Sequence, residues 1–434
     1  MFDRLATNRK MSPTRWAFPI IVLAFAGACS PITVNLMPAP EAFRLEQVEG
    51  FKGTPEVERS LIVPVLYATN RVPGKTSKDG SPYGNNYDDT LRMGVARMQI
   101  GDDPSLEWEA LTKLSVEVER EHDLPLRIVD VNESVSLGHG QDLEALPKDL
   151  AAAMATLNEI MGSSRDPDLM IFVHGARNTF YRALGQASQY RHFTGRNTVV
   201  LAFAWPSMGT LWRYGSDVKR ARQSARQLAD LVELLARHST ARKINILGYS
   251  LGGVVVSNAL ALLREDHAND TGEALLGRLR IGEVYYAAAD IDTAEFTQQL
   301  KAYHDMVGRV SMTVNLNDKV LKMSQFRNRS SRIGRPDPDE LNSEETNFLV
   351  EASATENFDV IDAVSAVSFF DALEAHDYWY NNPRVSTDVL MKMLIHPLPA
   401  DRGLEPLVTE RGFTIWYFPP DYQQRITDAI AAIP

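Results

Sequence analysis

Apolar and polar positions change rhythm several times along this chain, and the changes mark its elements. LIVPVLYATNR (61–71) is rich in β-branched and aromatic residues and predicts a first strand. RMGVARMQI (92–100) and LSVEVER (114–120) read as two further strands of an antiparallel start. From residue 147 to 161 the apolar spacing becomes helical. Strand and helix patterns then alternate: LMIFVHG (169–175), a helix over 181–191, TVVLAFAW (198–205), and a helix over 216–238. In the last of these Val218, Ala221, Ala225, Leu228, Val232 and Leu235 form an apolar stripe, and the basic run Lys219, Arg220, Arg222 and Arg226 falls on its solvated face. KINILGYS (243–250), a helix, IGEVYYAAAD (281–290), a helix to Tyr303, and RVSMTVNLND (309–318) continue the alternation. FDVIDAVSAV (358–367) predicts a late strand and VSTDVLMKML (385–394) a late helix.

Strands alternating with helices imply an α/β fold: a mostly parallel central sheet with helices on both faces, preceded here by antiparallel strands. In such sheets the chemistry sits at the carboxyl ends of the strands. No internal repeat interrupts the pattern. The polar stretch 324–357 is long for a plain connection and reads either as a lid over the active site or as a surface loop. Residues 58–400 are expected to form the main domain, with 401–434 as a C-terminal extension whose FTIWYFPP (413–420) reads as an extra strand or a docking arm.

Composition narrows the setting. The 434 residues are 44% hydrophobic and 23% charged, ordinary for a globular chain long enough to bury a core without staples. A net charge of −11 argues against nucleic acid as a partner. The single cysteine, Cys29, excludes an intrachain disulfide. Arg4, Arg9, Lys10 and Arg15 precede an apolar run from Trp16 to Phe25 and the small residues Ala26, Gly27 and Ala28, the layout of a secretory signal peptide over 1–28. The run is too short to span a bilayer, which takes about 20 residues. Small residues followed by Cys29 resemble a bacterial lipoprotein box, although Ala26 stands where leucine is usual. That resemblance implies a lipid on Cys29 and a membrane-tethered protein in the cell envelope, with Ser30 pointing to the outer membrane in enteric-type sorting. Cleavage by ordinary signal peptidase, leaving a secreted protein with a free thiol, is the competing reading. Residues 29–57, with Pro31, Pro38, Pro40 and Pro55, read as a tether.

The densest chemical signal is Gly248-Tyr249-Ser250-Leu251-Gly252, between an apolar strand pattern and a helix pattern. This is the G-x-S-x-G nucleophile elbow in its strand–turn–helix context. The glycines let strand and helix pass closely, and the turn lifts the Ser250 hydroxyl to the helix N-terminus, where an oxyanion is favoured. A serine nucleophile needs a base and an orienting acid, which follow in the chain order Ser, acid, His. Asp318 closes the 309–318 strand and is the first candidate acid; Asp290 and Asp292 close the previous strand, and Asp292 with Glu295 also fits a helix start. Of the histidines after Ser250, His376 lies in the loop between the late strand and the late helix, where the base is needed. His267 and His304 precede that strand and read as surface residues, and His396 follows the late helix. The Leu251 N–H is one expected oxyanion donor, and the N–H of Ala176 or Arg177, after Gly175, the other. His174 is expected to brace that loop.

HGARNTF (174–180), AWPSMGTLWRY (204–214), GYSLGG (248–253), AADID (288–292), NDKVLKMS (317–324), RIG (332–334) and HDYWYN (376–381), with YATNR (67–71), together resemble a bacterial α/β-hydrolase family of uncharacterised function, over about residues 60–395. The resemblance implies an esterase- or lipase-like fold with Ser250, Asp318 and His376 as the triad. It departs at Ala176 and Arg177, where the family carries an aromatic residue and then asparagine; Asn178 is a displaced equivalent of that asparagine, which leaves the second oxyanion donor open.

The expected activity is cleavage of a small-molecule or lipid ester by a serine hydrolase, with amides and thioesters open to the same machinery. The alternative is a hydrolase fold kept as an envelope scaffold without turnover. Zinc-peptidase, P-loop, dinucleotide and cysteine-based metal motifs are lacking from the sequence, so no cofactor or metal is implied. Trp205, Trp212, Tyr214, Tyr378 and Trp379 read either as acyl-pocket lining or as core.

Overall fold

The computed structural model describes residues 33–431 except 46, 47, 49, 139, 141–143, 210–212, 338, 339, 356 and 367–375. The signal-peptide reading, Cys29 and Trp212 lie outside the described residues.

In chain order the strands and helices are β1 (Ile62–Pro73), β2 (Tyr83–Ile100), α1 (Trp108–Val116), β3 (Leu126–Leu137), α2 (Lys148–Ser163), β4 (Leu169–Val173), α3 (Phe180–Phe193), β5 (Val199–Phe203) and α4 (Tyr214–His238). They continue with β6 (Ile244–Tyr249), α5 (Gly252–Asp266), α6 (Gly272–Leu279), β7 (Ile281–Ala287), α7 (Thr293–Tyr303), β8 (Arg309–Val314), α8 (Lys319–Asn328), α9 (Ser343–Ser353) and β9 (Phe358–Asp362). The last are α10 (Tyr378–Asn381), α11 (Pro383–Ile395), β10 (Glu405–Val408), β11 (Thr414–Tyr417) and α12 (Tyr422–Ala431).

Among the described residues eleven strands form one sheet in the order β10-β11-β9-β8-β7-β6-β4-β5-β1-β2-β3. Neighbours from β9 through β1 are parallel, and β1, β2 and β3 pair antiparallel. This is the expected α/β-hydrolase layout. The central strands β4 to β7 are buried at every position, so they read as unbroken apolar runs rather than alternating ones. Two apolar clusters, one on each face, carry the core: α4 and α5 supply Leu228, Leu235, Val255 and Leu260 on one side, and α3 and α11 supply Leu184, Phe193, Val389 and Leu390 on the other.

Three expectations about organisation are corrected. LSVEVER (114–120) is no strand: its start ends α1, and the third strand is β3. The Arg120 guanidinium explains the local turn, since it reaches the carbonyls of Leu36, Met37, Leu114 and Ser115. β3 escaped notice because an edge strand exposes most of its side chains and shows no apolar alternation. The supposed tether is also packed, from residue 33 onward. Leu36, Met37, Ala39 and Leu45 are buried, Leu36 N–H donates to Leu124 O at 2.8 Å, and Met37 N–H donates to the Gln189 side chain at 3.0 Å. Beyond residue 400 the domain boundary is corrected, since Phe418, Tyr422 and Ile426 are buried, while the extra-strand reading of FTIWYFPP holds: it supplies β11, which pairs with β9.

The stretch 324–357 is a run of short elements: the end of α8, a turn tied to the 289–291 backbone by Ile333 and Gly334, and α9. Among the described residues of this stretch, those of α8 border the cleft described next.

Candidate active site

Ser250 stands at the turn between β6 and α5 with φ of 52°, the left-handed region that a non-glycine residue enters only when its surroundings hold it there. The crossing is tight enough to dictate its neighbours. A Cβ on Gly252 would lie 2.2 Å from Val173 O, and one on Gly175 would lie 2.9 Å from the Ser250 Cβ. β4, β6 and the start of α5 can approach this closely only with glycine at both places.

Three residues far apart in the chain meet here. His376 Nε2 lies 3.0 Å from Ser250 Oγ, and His376 Nδ1 lies 2.8 Å from Asp318 Oδ2. Asp318 is fully buried and caps α8: its Oδ1 accepts from Leu321 N–H at 2.9 Å. One carboxylate oxygen is therefore held by a helix N-terminus while the other faces the imidazole. Burial acts to lower the His376 pKa, but the negative charge and hydrogen bond of Asp318, with the charges of Asp377 and Asp290, outweigh it, and the net shift is upward.

The competing residues have other partners. Asp292 caps α7, accepting from Glu295 N–H at 3.0 Å. Asp290 lines the cleft, yet its carboxylate takes the Ser324 hydroxyl at 2.7 Å and the Tyr214 hydroxyl, with the Arg332 guanidinium 3.2 Å away. His267 pairs with Glu233 at 3.2 Å, His304 meets the Phe348 ring edge-on with centroids 5.5 Å apart, and His396 lies 2.8 Å from Asp168.

The loop after β4 is braced from two sides. The His174 ring stacks on Trp205 with centroids 5.0 Å apart, and the Trp205 indole N–H donates to His174 O at 2.6 Å. Burial, with the charge of Arg71, lowers the His174 pKa to about 3, so the ring is neutral and has a bracing place rather than a titrating one. Arg71, from the YATNR strand, is fully buried and donates to the carbonyls of Gly84, Asn178, Ala204 and Trp205 and to the Asn85 side chain. Arg71→Ala would remove five donated hydrogen bonds from a buried site at once, with Thr69 to Ala204 and Ser207 to Asn178 and Trp205 among the remaining local pairings. It is expected to destabilise the fold by about 3 kcal/mol or more, read as a lowered urea midpoint; an unchanged midpoint would refute this role.

Of the candidate oxyanion donors, Arg177 is corrected. Its N–H is aimed at Asp217 Oδ2 at 3.4 Å, and the next N–H, of Asn178, donates to Ser207 Oγ at 2.9 Å. Ala176 and Leu251 flank the serine without such engagement among the described residues. Sequence reasoning missed Tyr249 as a contact residue: its hydroxyl donates to Asp377, and its ring lies 5.5 Å from the His376 ring. It also missed the Tyr214, Ser324 and Arg332 support of Asp290, which joins α4 and α8 across the cleft.

An open cleft of about 460 Å³ exposes Ser250 and His376 and is lined by Ala176, Arg182, Tyr214, Val320, Met323 and Arg327 among others. Of the four described aromatics considered for the acyl pocket, Tyr214 lines it, and Trp205, Tyr378 and Trp379 are core. Among the described residues no cluster of side chains has the makings of a metal site, and no helix is long and apolar enough to cross a membrane.

Among solved structures the chain is similar to an inhibited esterase B from Lactobacillus rhamnosis, at 12% identity and a TM-score of 0.30, covering 53% of this chain and 80% of that one. It is also similar to a lipase-esterase related protein from Clostridium acetobutylicum, at 15% identity and a TM-score of 0.20, covering 46% and 74%. No curated protein matches. Residues 149–394, more than half of the chain and spanning Ser250, Asp318 and His376, match the family described as "Alpha/beta hydrolase of unknown function (DUF900)", and the chain belongs to that family.

Proposed function

We propose that this protein is a serine hydrolase that cleaves carboxylic esters through an acyl-enzyme. The observation that carries the proposal is the imidazole of His376 within hydrogen-bond reach of both Ser250 and Asp318. His376 Nε2 takes the hydroxyl proton as Ser250 Oγ bonds to the substrate carbonyl carbon. The carbonyl π electrons move to oxygen, and the N–H groups of Leu251 and Ala176 hold the oxyanion, with the N-terminus of α5 adding positive potential. Collapse breaks the bond to the alcohol, which leaves with the proton from His376. Water repeats the sequence on the acyl-enzyme and releases the acid, restoring the serine. Asp318 keeps the imidazole in the tautomer with hydrogen on Nδ1 and stabilises the cation formed at each step.

The open cleft and its mixed lining of Met323, Val320 and Tyr214 support an ester with an apolar acyl part. The test is a panel of p-nitrophenyl esters of rising chain length, with His376→Ala as control. Turnover in the wild type that falls to background in the control supports the proposal; equal rates in both would favour a scaffold without catalysis.

We also propose export with a lipid anchor on Cys29, on the strength of the leader's basic, apolar and small-residue order. Labelled palmitate fed to expressing cells should mark the protein and leave Cys29→Ser unmarked; equal labelling would contradict the anchor.

A further inference from the structure

The mouth of the cleft has an unusual rim. Of the large apolar side chains that stand exposed, Leu316 (56%), Val320 (40%), Met323 (57%) and Phe326 (90%) cluster on α8 and the loop before it. Leu321 and Ser324 fill the inner face of α8, so its apolar residues are not used up by the core. At about 100° per residue, Lys319, Met323 and Phe326 share the outward face, with Lys322 to one side and Arg327 and Val320 to the other. Val320, Met323 and Arg327 also line the cleft that exposes Ser250, and the Arg327 guanidinium lies 5.4 Å from the Tyr214 ring centroid.

The charge of this rim runs against that of the molecule. The chain carries 56 acidic and 45 basic residues, yet from Lys319 to Arg335 there are Lys319, Lys322, Arg327, Arg329, Arg332 and Arg335 and no Asp or Glu. Arg332 is engaged by Asp290 and Arg335 by Gln325. Lys319, Lys322, Arg327 and Arg329 are exposed and pair with no carboxylate among the described residues. Exposed apolar side chains flanked by long basic arms suit an anionic bilayer surface, where the apolar tips enter the acyl boundary and the cations meet phosphate.

We infer that α8 docks the mouth of the cleft on an anionic lipid surface, so that the substrates are acyl esters drawn from that surface. The substrate part of this inference rests on the proposed ester hydrolysis; the docking does not. The cleft then faces the bilayer directly, and a lipid reaches Ser250 past Val320 and Met323 without crossing bulk water.

The experiment uses the full chain with Cys29→Ala, so that one introduced cysteine carries an environment-sensitive fluorophore. The probe is placed by Phe326→Cys, or by Val129→Cys on the edge strand β3 as a remote control. Phosphatidylglycerol vesicles should shift the emission to the blue at the first site and not at the second. Phosphatidylcholine vesicles should do so at least about tenfold more weakly, as should phosphatidylglycerol after Lys319→Glu with Lys322→Glu. In parallel, Phe326→Asp should lower hydrolysis of a vesicle-borne ester about tenfold while leaving a soluble short-chain ester unchanged. No shift at the α8 site, or equal shifts at both sites, overturns the docking. So does a protein dimer that dissociates on Phe326→Asp with no vesicle response, which would make the rim a contact between copies. Loss of the docking signal with soluble-ester turnover intact leaves the hydrolase proposal standing, whereas docking without turnover of any ester removes that proposal alone.

Discussion

Ser250→Ala is expected to lower kcat on a soluble ester by about 10⁵-fold, with little change in KM. In the proposed mechanism the hydroxyl is the atom that bonds to the carbonyl carbon, so its removal would abolish the acyl-enzyme route rather than weaken it. Residual rate would come from water in a cleft that still holds the N–H groups of Leu251 and Ala176 toward an oxyanion. If Ser250 and His376 act as the proposed unit, Ser250→Ala with His376→Ala should be no slower than either alone. The hydroxyl is small and the site is held by Gly175 and Gly252, so the fold should survive the change. Steady-state kinetics with a chromogenic ester gives the answer; a loss of less than about tenfold would contradict the assigned nucleophile.

Asp318→Asn is expected to lower kcat by about 10⁴-fold, and its effect should carry a pH signature. The carboxylate touches His376 at 2.8 Å and is anchored by Leu321 N–H at 2.9 Å. An amide in its place keeps the shape but favours the wrong imidazole tautomer. The same charge drives the upward shift of the His376 pKa. The base acts only when neutral, so kcat/KM should rise with pH through an acid limb centred above the ordinary histidine value of about 6.5. In Asp318→Asn that limb should move to lower pH, since burial then acts with less opposition. The stability contribution has the opposite sign. A raised folded-state pKa stabilises below the unfolded value, and that contribution is lost as pH rises through the folded value. Activity should thus be gained over the pH interval in which this increment of stability disappears. A pH profile with the limb unmoved in Asp318→Asn would count against the pairing as the cause of the shift.

The legible parts of this molecule were those encoded locally or by order. Gly248 to Gly252 announce themselves because a strand, a tight turn and a helix must follow one another for the motif to have meaning. Asp318 and His376 could be named because sheet order tells which loops reach the Ser250 end of the sheet. The parallel sheet was legible because fully buried strands such as 169–173 and 244–249 are unbroken apolar runs. What stayed hidden depends on pairs of polar groups distant in sequence. Nothing in YATNR says that Arg71 will bind the carbonyl of Asn178, more than a hundred residues away. Nothing next to Tyr249 says that its hydroxyl will meet Asp377. The Pro-rich segment after residue 30 looked like a spacer because proline suits extended backbone, and extended backbone also suits lying along a surface, as Leu36 and Met37 do. LSVEVER misled because two-residue alternation over so short a span also arises where a helix end meets a turn.

The most direct test of the central claim is to treat the full-length protein with a fluorophosphonate, digest it and locate the adduct by mass spectrometry. The account predicts one phosphonylated peptide carrying the modification on Ser250, with labelling strongly slowed in His376→Ala. A protein that remains unmodified, or one modified equally well after Ser250→Ala, would contradict it.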